Sequence, residues 1–159
     1  MKIRSIATAG MIADTSLYNV DGACVVGGAS PIAVGTAVRV TSAQPVEGHK
    51  VVQASGIVAY DPAATGITGP AGVVVKSHYE TPDGTARAQE AVNVLTAGRI
   101  WMRSDLTAAP SYGSPVLVTA AGIASATGVA TGWTYAGGFV SAAASPDGVA
   151  LVEVQVKQK

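Results

Sequence analysis

The apolar residues of this chain repeat at every second position, in short runs, and this period constrains the fold more than any other feature. Near the C-terminus, Val152, Val154 and Val156 share one face, while Leu151, Glu153 and Gln155 share the other. Val38 and Val40 alternate in the same way with Ala37, Arg39 and Thr41, Val92 and Val94 with Asn93 and Leu95, and Ile100 and Met102 with Trp101 and Arg103. Alternation over short, β-branched runs predicts half-buried strands. Val73-Val74-Val75 is an unbroken run, which predicts a strand covered on both faces. Turn pairs separate these runs: Asp21-Gly22, Gly27-Gly28, Asp61-Pro62, Gly69-Pro70, Asp83-Gly84, Ala97-Gly98, Ala121-Gly122 and Asp147-Gly148. Asp-Gly and Gly-Gly supply the positive φ that tight turns demand. Many short strands joined by tight turns make an all-β chain, a single antiparallel β-barrel or sandwich domain. Helical propensity is best in residues 85–91, enough for one turn or a strand lead-in.

The first third reads differently. Up to Ile32 small and polar residues mix without a period, which predicts an extended N-terminal arm, residues 1–32, ahead of a barrel or sandwich domain, residues 33–159. Thirty extended residues reach roughly 100 Å.

Composition fixes the kind of core and removes several classes of function. Hydrophobic residues make up 48% of the 159, but aromatic residues only 5%, so the core is built from small side chains. Charged residues are 13%, against roughly 25% in an average domain. High hydrophobicity with zero net charge argues against disorder. The absence of a basic excess argues against a nucleic-acid partner. Cys24 has no second cysteine to pair with, so this is no disulfide scaffold. Residues 106–146 carry no charge, yet Pro110, Pro115 and repeated glycines break them far short of a membrane span, and no membrane partner is expected. Long uncharged surface marks an interface instead. Lys2 and Arg4 imitate the start of a signal peptide, but residues 5–14 are too polar to continue one, and the chain reads as unprocessed and made in the cytoplasm.

The residues offer no catalytic constellation. His49 and His78 are isolated, and the His78/Glu80 pair is too sparse for a zinc site, which needs three or four ligands. Cys24 has no base near it in sequence and reads as a small buried hydrophobe. The aspartates sit at turns, where backbone chemistry explains them. Gly66 to Gly72 is glycine-rich but lacks the Lys-Ser/Thr of a phosphate loop, and a strand follows it. Arg99 and Arg103 flank Trp101 on one strand face, which reads as a packed tryptophan with surface arginines rather than a base-stacking platform. No metal, no cofactor and no enzymatic activity are expected; the chain reads as structural.

Several blocks then resemble, in order, the structural cement (capsid decoration) proteins of tailed bacteriophages. They are Ala9-Gly10-Met11-Ile12-Ala13-Asp14-Thr15, Pro31 to Val38, Gly56 to Tyr60, Gly72 to Val75, Val92 to Met102 with its Arg99-Ile100-Trp101 core, Tyr112 to Val118, Ala136 to Ser141 and Asp147 to Val154. Gln89-Glu90-Ala91 departs from the Gly-Asp turn that in the family often leads into the strand at Val92. The resemblance implies a non-enzymatic virion protein on the outer capsid surface. Its partners would be the major capsid protein and itself, as a homo-oligomer, dimer or trimer. It would bridge capsid subunits against internal DNA pressure. Met11, Ile12, Tyr18, Trp101, Tyr112, Trp133 and Tyr135 are the expected capsid or subunit contacts. Of the two tryptophans, Trp101 is expected in the core or a subunit contact and Trp133 exposed near the lattice, since scarce large aromatics carry much of the contact energy. Two other readings stay open: a head-fibre or tail-base component, and a small-ligand β-barrel with a pocket of at least about 300 Å³.

Overall fold

A computed structural model describes residues 7–41, 50–54, 70–77 and 81–157. They are all strand, turn and loop, with no helix. In chain order the strands are β1 (Ile12–Val26), β2 (Ile32–Ala33), β3 (Ala37–Val40), β4 (Lys50–Ala54), β5 (Gly72–Val74), β6 (Thr85–Ala86), β7 (Ala91–Ser104), β8 (Pro115–Val118), β9 (Ala124–Ser125), β10 (Val129–Val140) and β11 (Ala150–Val156). β2 and β6 pair only with each other; the rest form one sheet.

That sheet closes on itself. The order β1-β4-β3-β5-β7 returns from β7 to β1, making a five-stranded barrel. A second circuit, β7-β11-β10-β8-β9, returns to β7 through the single pair Ser104–Ala124. β7 therefore belongs to both. Its first half meets β5 at Val94 and Leu95, and its second half meets β11 in an unbroken antiparallel ladder from Gly98 to Ser104. Closure removes the open edges that make sheets stick to one another.

The alternation seen in sequence sets the two cores. Val92 and Val94 point into one cluster, with Cys24, Val26, Val38 and Val52. Ile100 and Met102 point into the other, with Val116, Trp133, Val152 and Val154. Leu95 joins the second cluster although it is an odd number of residues from Ile100. A strand changes faces in that way only by absorbing an extra residue, as at a bulge. Gly98, with φ +118°, lies at that point. Ala97-Gly98 is thus a bend inside a continuous strand, not the turn expected from its composition. Asp21-Gly22 likewise falls inside β1, at a register shift between Asp21 and Cys24. Asp83-Gly84, Ala121-Gly122 and Asp147-Gly148 do turn, each with its glycine at positive φ.

β5 is covered on both faces: Val73 lies in the Trp133 cluster and Val74 in the Val38 cluster. Its neighbours come very close. A side chain at Gly72 would run into the Leu95 carbonyl, so only glycine fits there.

Candidate interaction face

The N-terminal segment turns at Ala9-Gly10 before β1 begins, and it is built into the barrel. Ala7 and Ala9 are buried in the Val38 cluster. The Gly10 N–H donates to the Trp101 carbonyl (2.8 Å), and the Gly10 carbonyl accepts from the Lys76 N–H (2.8 Å). The Met11 carbonyl accepts from the Trp101 N–H (2.9 Å). A Cβ on Gly10 would lie 2.7 Å from the Lys76 nitrogen and 2.9 Å from the Val74 oxygen, so the slot between these strands takes a glycine. Gly10 also has φ +71°, a left-handed conformation costly for other residues.

Beyond this slot β1 leaves its partner. Ile12 pairs with Ile100 and Asp14 with Arg99, but the next pair is Asn19 with Ala97. Residues 15–18 have no register partner on β7, although the backbone at Leu17–Tyr18 passes close over Gly98. The Asp14 carboxylate holds their start by accepting from the Ser16 N–H (2.9 Å) and hydroxyl (2.7 Å). These two hydrogen bonds, from the hydroxyl first, hold the carboxyl below the usual aspartate range. The excursion presents Leu17, 87% exposed, and Tyr18, 49% exposed.

Tyr112, 75% exposed, completes the large apolar side chains that stand in solvent among the described residues. It lies on the same face. A cleft of about 420 Å³ is lined by Leu17, Tyr18, Gly98, Arg99, Gln155 and Lys157, among others. A second, of about 240 Å³, is lined by Tyr112, Thr134, Tyr135, Arg99 and Gln155. Arg99 and Gln155 line both, so they form the ridge between the clefts. The ridge is fixed from below: the Arg99 Nε–H donates to Gln155 Oε1 (3.1 Å), and Glu153 lies 3.9 Å from the guanidinium.

The residues expected at an interface divide accordingly. Tyr18 and Tyr112 are exposed on this face. Met11 and Ile12 are half-buried, one packed on each core cluster. Trp101 is half-buried beside Gly138, against whose position its ring edge packs too closely for a side chain. Tyr135 is buried, and it lines the smaller cleft. Burial, followed by the charge of Asp105, pushes its phenol up, so it remains a neutral hydrogen-bonding group. Trp133 is not exposed, contrary to expectation. At 2% exposure it is the largest fully buried side chain, because the period of β10 turns Trp133 and Tyr135 inward together. Much of the uncharged stretch from residue 106 to 146 is consumed in the same way, as Val116, Val118, Ala124, Trp133 and Tyr135 are core.

Leu17 was not singled out by sequence, although it is the most exposed large apolar side chain described. The signal was there: one leucine set among Thr15, Ser16 and Asn19, outside any alternating run. Cys24 is buried, and desolvation pushes its thiol up to about 11, with the nearby Asp21 charge adding to the effect. His49, His78, Glu80 and the block from Gly56 to Tyr60 lie outside the described residues.

A family model described as Structural cement protein (E217 gp24/Pam3 gp6) matches residues 2–157. No curated protein matches the chain.

Proposed function

The chain belongs to the phage structural cement protein family, and from that premise we propose that it binds the outer surface of the phage head and bridges neighbouring major capsid subunits against internal DNA pressure. The role is structural and involves no catalysis. The observation that carries the reading is the gathering of the exposed large apolar residues, Leu17, Tyr18 and Tyr112, around two adjoining clefts on one face. Tyrosines are suited to such contacts, since each offers a large ring and a polar tip. Apolar exposure concentrated in one place marks an interaction surface, whereas scattered exposure does not.

The energetics suit reinforcement. A protein that binds only the assembled lattice stabilises that lattice by mass action. Bridging two subunits makes the second contact intramolecular, so modest single contacts combine into avidity. With no net charge, recognition by shape and apolar contact leaves binding weakly dependent on salt.

The test uses heads stripped of this protein. Adding it back is expected to raise the temperature at which the heads release DNA and to leave it bound through a moderate-salt wash. An unchanged release temperature, or release of the protein by that wash, contradicts the reading. Point substitutions suit this test better than deletion of the first thirty residues, which would remove all of β1 from the barrel.

A further inference from the structure

We infer that the outer edge of β1, from Ile12 to Asp21, takes up an extended segment of the major capsid protein as an added strand, with an acidic side chain of that segment held in the cleft beside Arg99 and Lys157. The inference rests on the reading above and deepens it, since it names an open backbone edge as the recognised element and an extended, acidic segment as the partner.

The edge is the first observation. Closure covers β1 unevenly. β7 pairs with it on one side from Ile12 to Val25, whereas β4, its neighbour on the other side, pairs only with Cys24, Val25 and Val26. From Ile12 to Asp21 no strand among the described residues lies on that second side. In an antiparallel ladder every second residue turns its N–H and C=O away from its partner, so this stretch presents a row of such groups outward.

The second observation is what the edge carries. Residues 12–21 contain no lysine and no proline, the residues that most directly blunt a sheet edge. Thr15, Ser16, Leu17, Tyr18 and Asn19 are exposed in succession, so both faces of the strand stand in solvent here along with its edge. Backbone hydrogen bonds give an added strand its affinity, and neighbouring side chains and pockets set its register. Leu17, Tyr18 and the cleft of about 420 Å³ beside them supply that second part.

The third observation selects the occupant. The residues lining this cleft include two cations, Arg99 and Lys157, and one anion, Asp14. The Asp14 carboxylate is already engaged by the Ser16 N–H and hydroxyl. The excess of positive charge suits a carboxylate on the incoming strand. A second copy of β1 fits badly. Antiparallel pairing centred on Leu17 and Tyr18 sets Asp14 opposite Asp21, itself already paired with Lys50, at both ends, and like charges directly opposite are destabilising.

The test uses the full chain on stripped heads. Hydrogen exchange is read residue by residue in the free and the bound protein. Amides that alternate along residues 15–19 are expected to exchange at least about tenfold more slowly when bound, the mark of a strand added at one edge. Slowing of none of them, or of all five alike, overturns the added strand. Tyr18 is then replaced by the photoreactive analogue benzoylphenylalanine. The cross-link is expected within a single segment of the major capsid protein that contains Asp or Glu. A cross-link to another copy of this chain, to scattered capsid sites or to nothing overturns the assignment of the partner. Leu17→Lys puts a blunting charge on the edge at a side chain that is 87% exposed, so the fold is kept. Its occupancy of heads is expected to fall about tenfold, and full occupancy overturns the inference. A protein that occupies heads without alternating protection defeats this inference and leaves the proposed function standing, whereas one that does not occupy heads defeats both.

Discussion

The two circuits that share β7 are built by opposite means. The circuit through β11, β10, β8 and β9 is held by side chains: Trp133, Tyr135, Met102 and alternating valines fill it, and β7 and β11 pair in an unbroken ladder. The circuit through β1, β4, β3 and β5 is held by backbone proximity. Its strands are short or irregular, its buried residues are mostly alanine and valine, and Gly10, Gly35 and Gly72 let strands pass where a Cβ would collide. The first circuit is thus sensitive to atoms removed and the second chiefly to atoms added, although close glycine contacts occur in the first too, at Gly128 against the Val118 carbonyl and at Gly138 against the Trp101 ring. The irregular one turns Leu17 and Tyr18 outward, while the loop before β8 turns out Tyr112 beside the other circuit.

The largest effects test that contrast directly. Trp133→Ala empties the centre of the side-chain circuit and is expected to cost about 3–5 kcal/mol in denaturant unfolding. Gly72→Ala adds one methyl against the Leu95 carbonyl, which belongs to a central strand and cannot give way, and is expected to cost about 3 kcal/mol. If Gly72→Ala proves mild, backbone proximity is not what holds the circuit through β1, β4, β3 and β5.

A smaller effect separates close approach from backbone conformation. Gly132 in β10 has φ +75° but no atom within 4 Å of where a Cβ would stand. Gly132→Ala is therefore expected to cost only about 1–2 kcal/mol, the conformational part alone. Equal costs at Gly72 and Gly132 would erase the distinction between the circuits.

Cys24 reports on the packing of the backbone circuit without changing its volume. With its thiol held near 11 rather than 9.0, the thiolate fraction at pH 8 falls about a hundredfold, and alkylation by iodoacetamide is expected to slow by at least that factor relative to the unfolded chain. The sign for stability follows. The folded state keeps this proton while the unfolded state loses it, so stability is undiminished below pH 9 and declines between 9 and about 11. Rapid alkylation at pH 8 would show a circuit that opens readily.

The same contrast explains how much of the molecule was legible in the sequence. The side-chain circuit declares itself by period: Val152, Val154 and Val156 alternate in sequence and are buried in the structure, and Val73-Val74 is sandwiched as an unbroken run should be. What determines the backbone circuit is which strand lies beside which glycine, and no local pattern encodes that. Gly98 illustrates the difficulty, since a glycine after alanine suits a turn and a bulge equally well, and only the face change between Leu95 and Ile100 decides between them. The interaction face was half legible. Tyr18 and Tyr112 could be singled out because aromatic residues are scarce. Trp133 was misplaced because its neighbours Thr131, Gly132 and Thr134 are small and polar, and the alternation that buries it has few apolar members to reveal it.

The most direct test of the account is the occupancy of stripped heads by Tyr112→Ser, compared with wild type at equal free concentration. Tyr112 is 75% exposed, so the substitution should leave the unfolding midpoint within about 0.5 kcal/mol of wild type. The account predicts that occupancy falls at least tenfold while the fold is retained. Full occupancy by a folded Tyr112→Ser protein would contradict it.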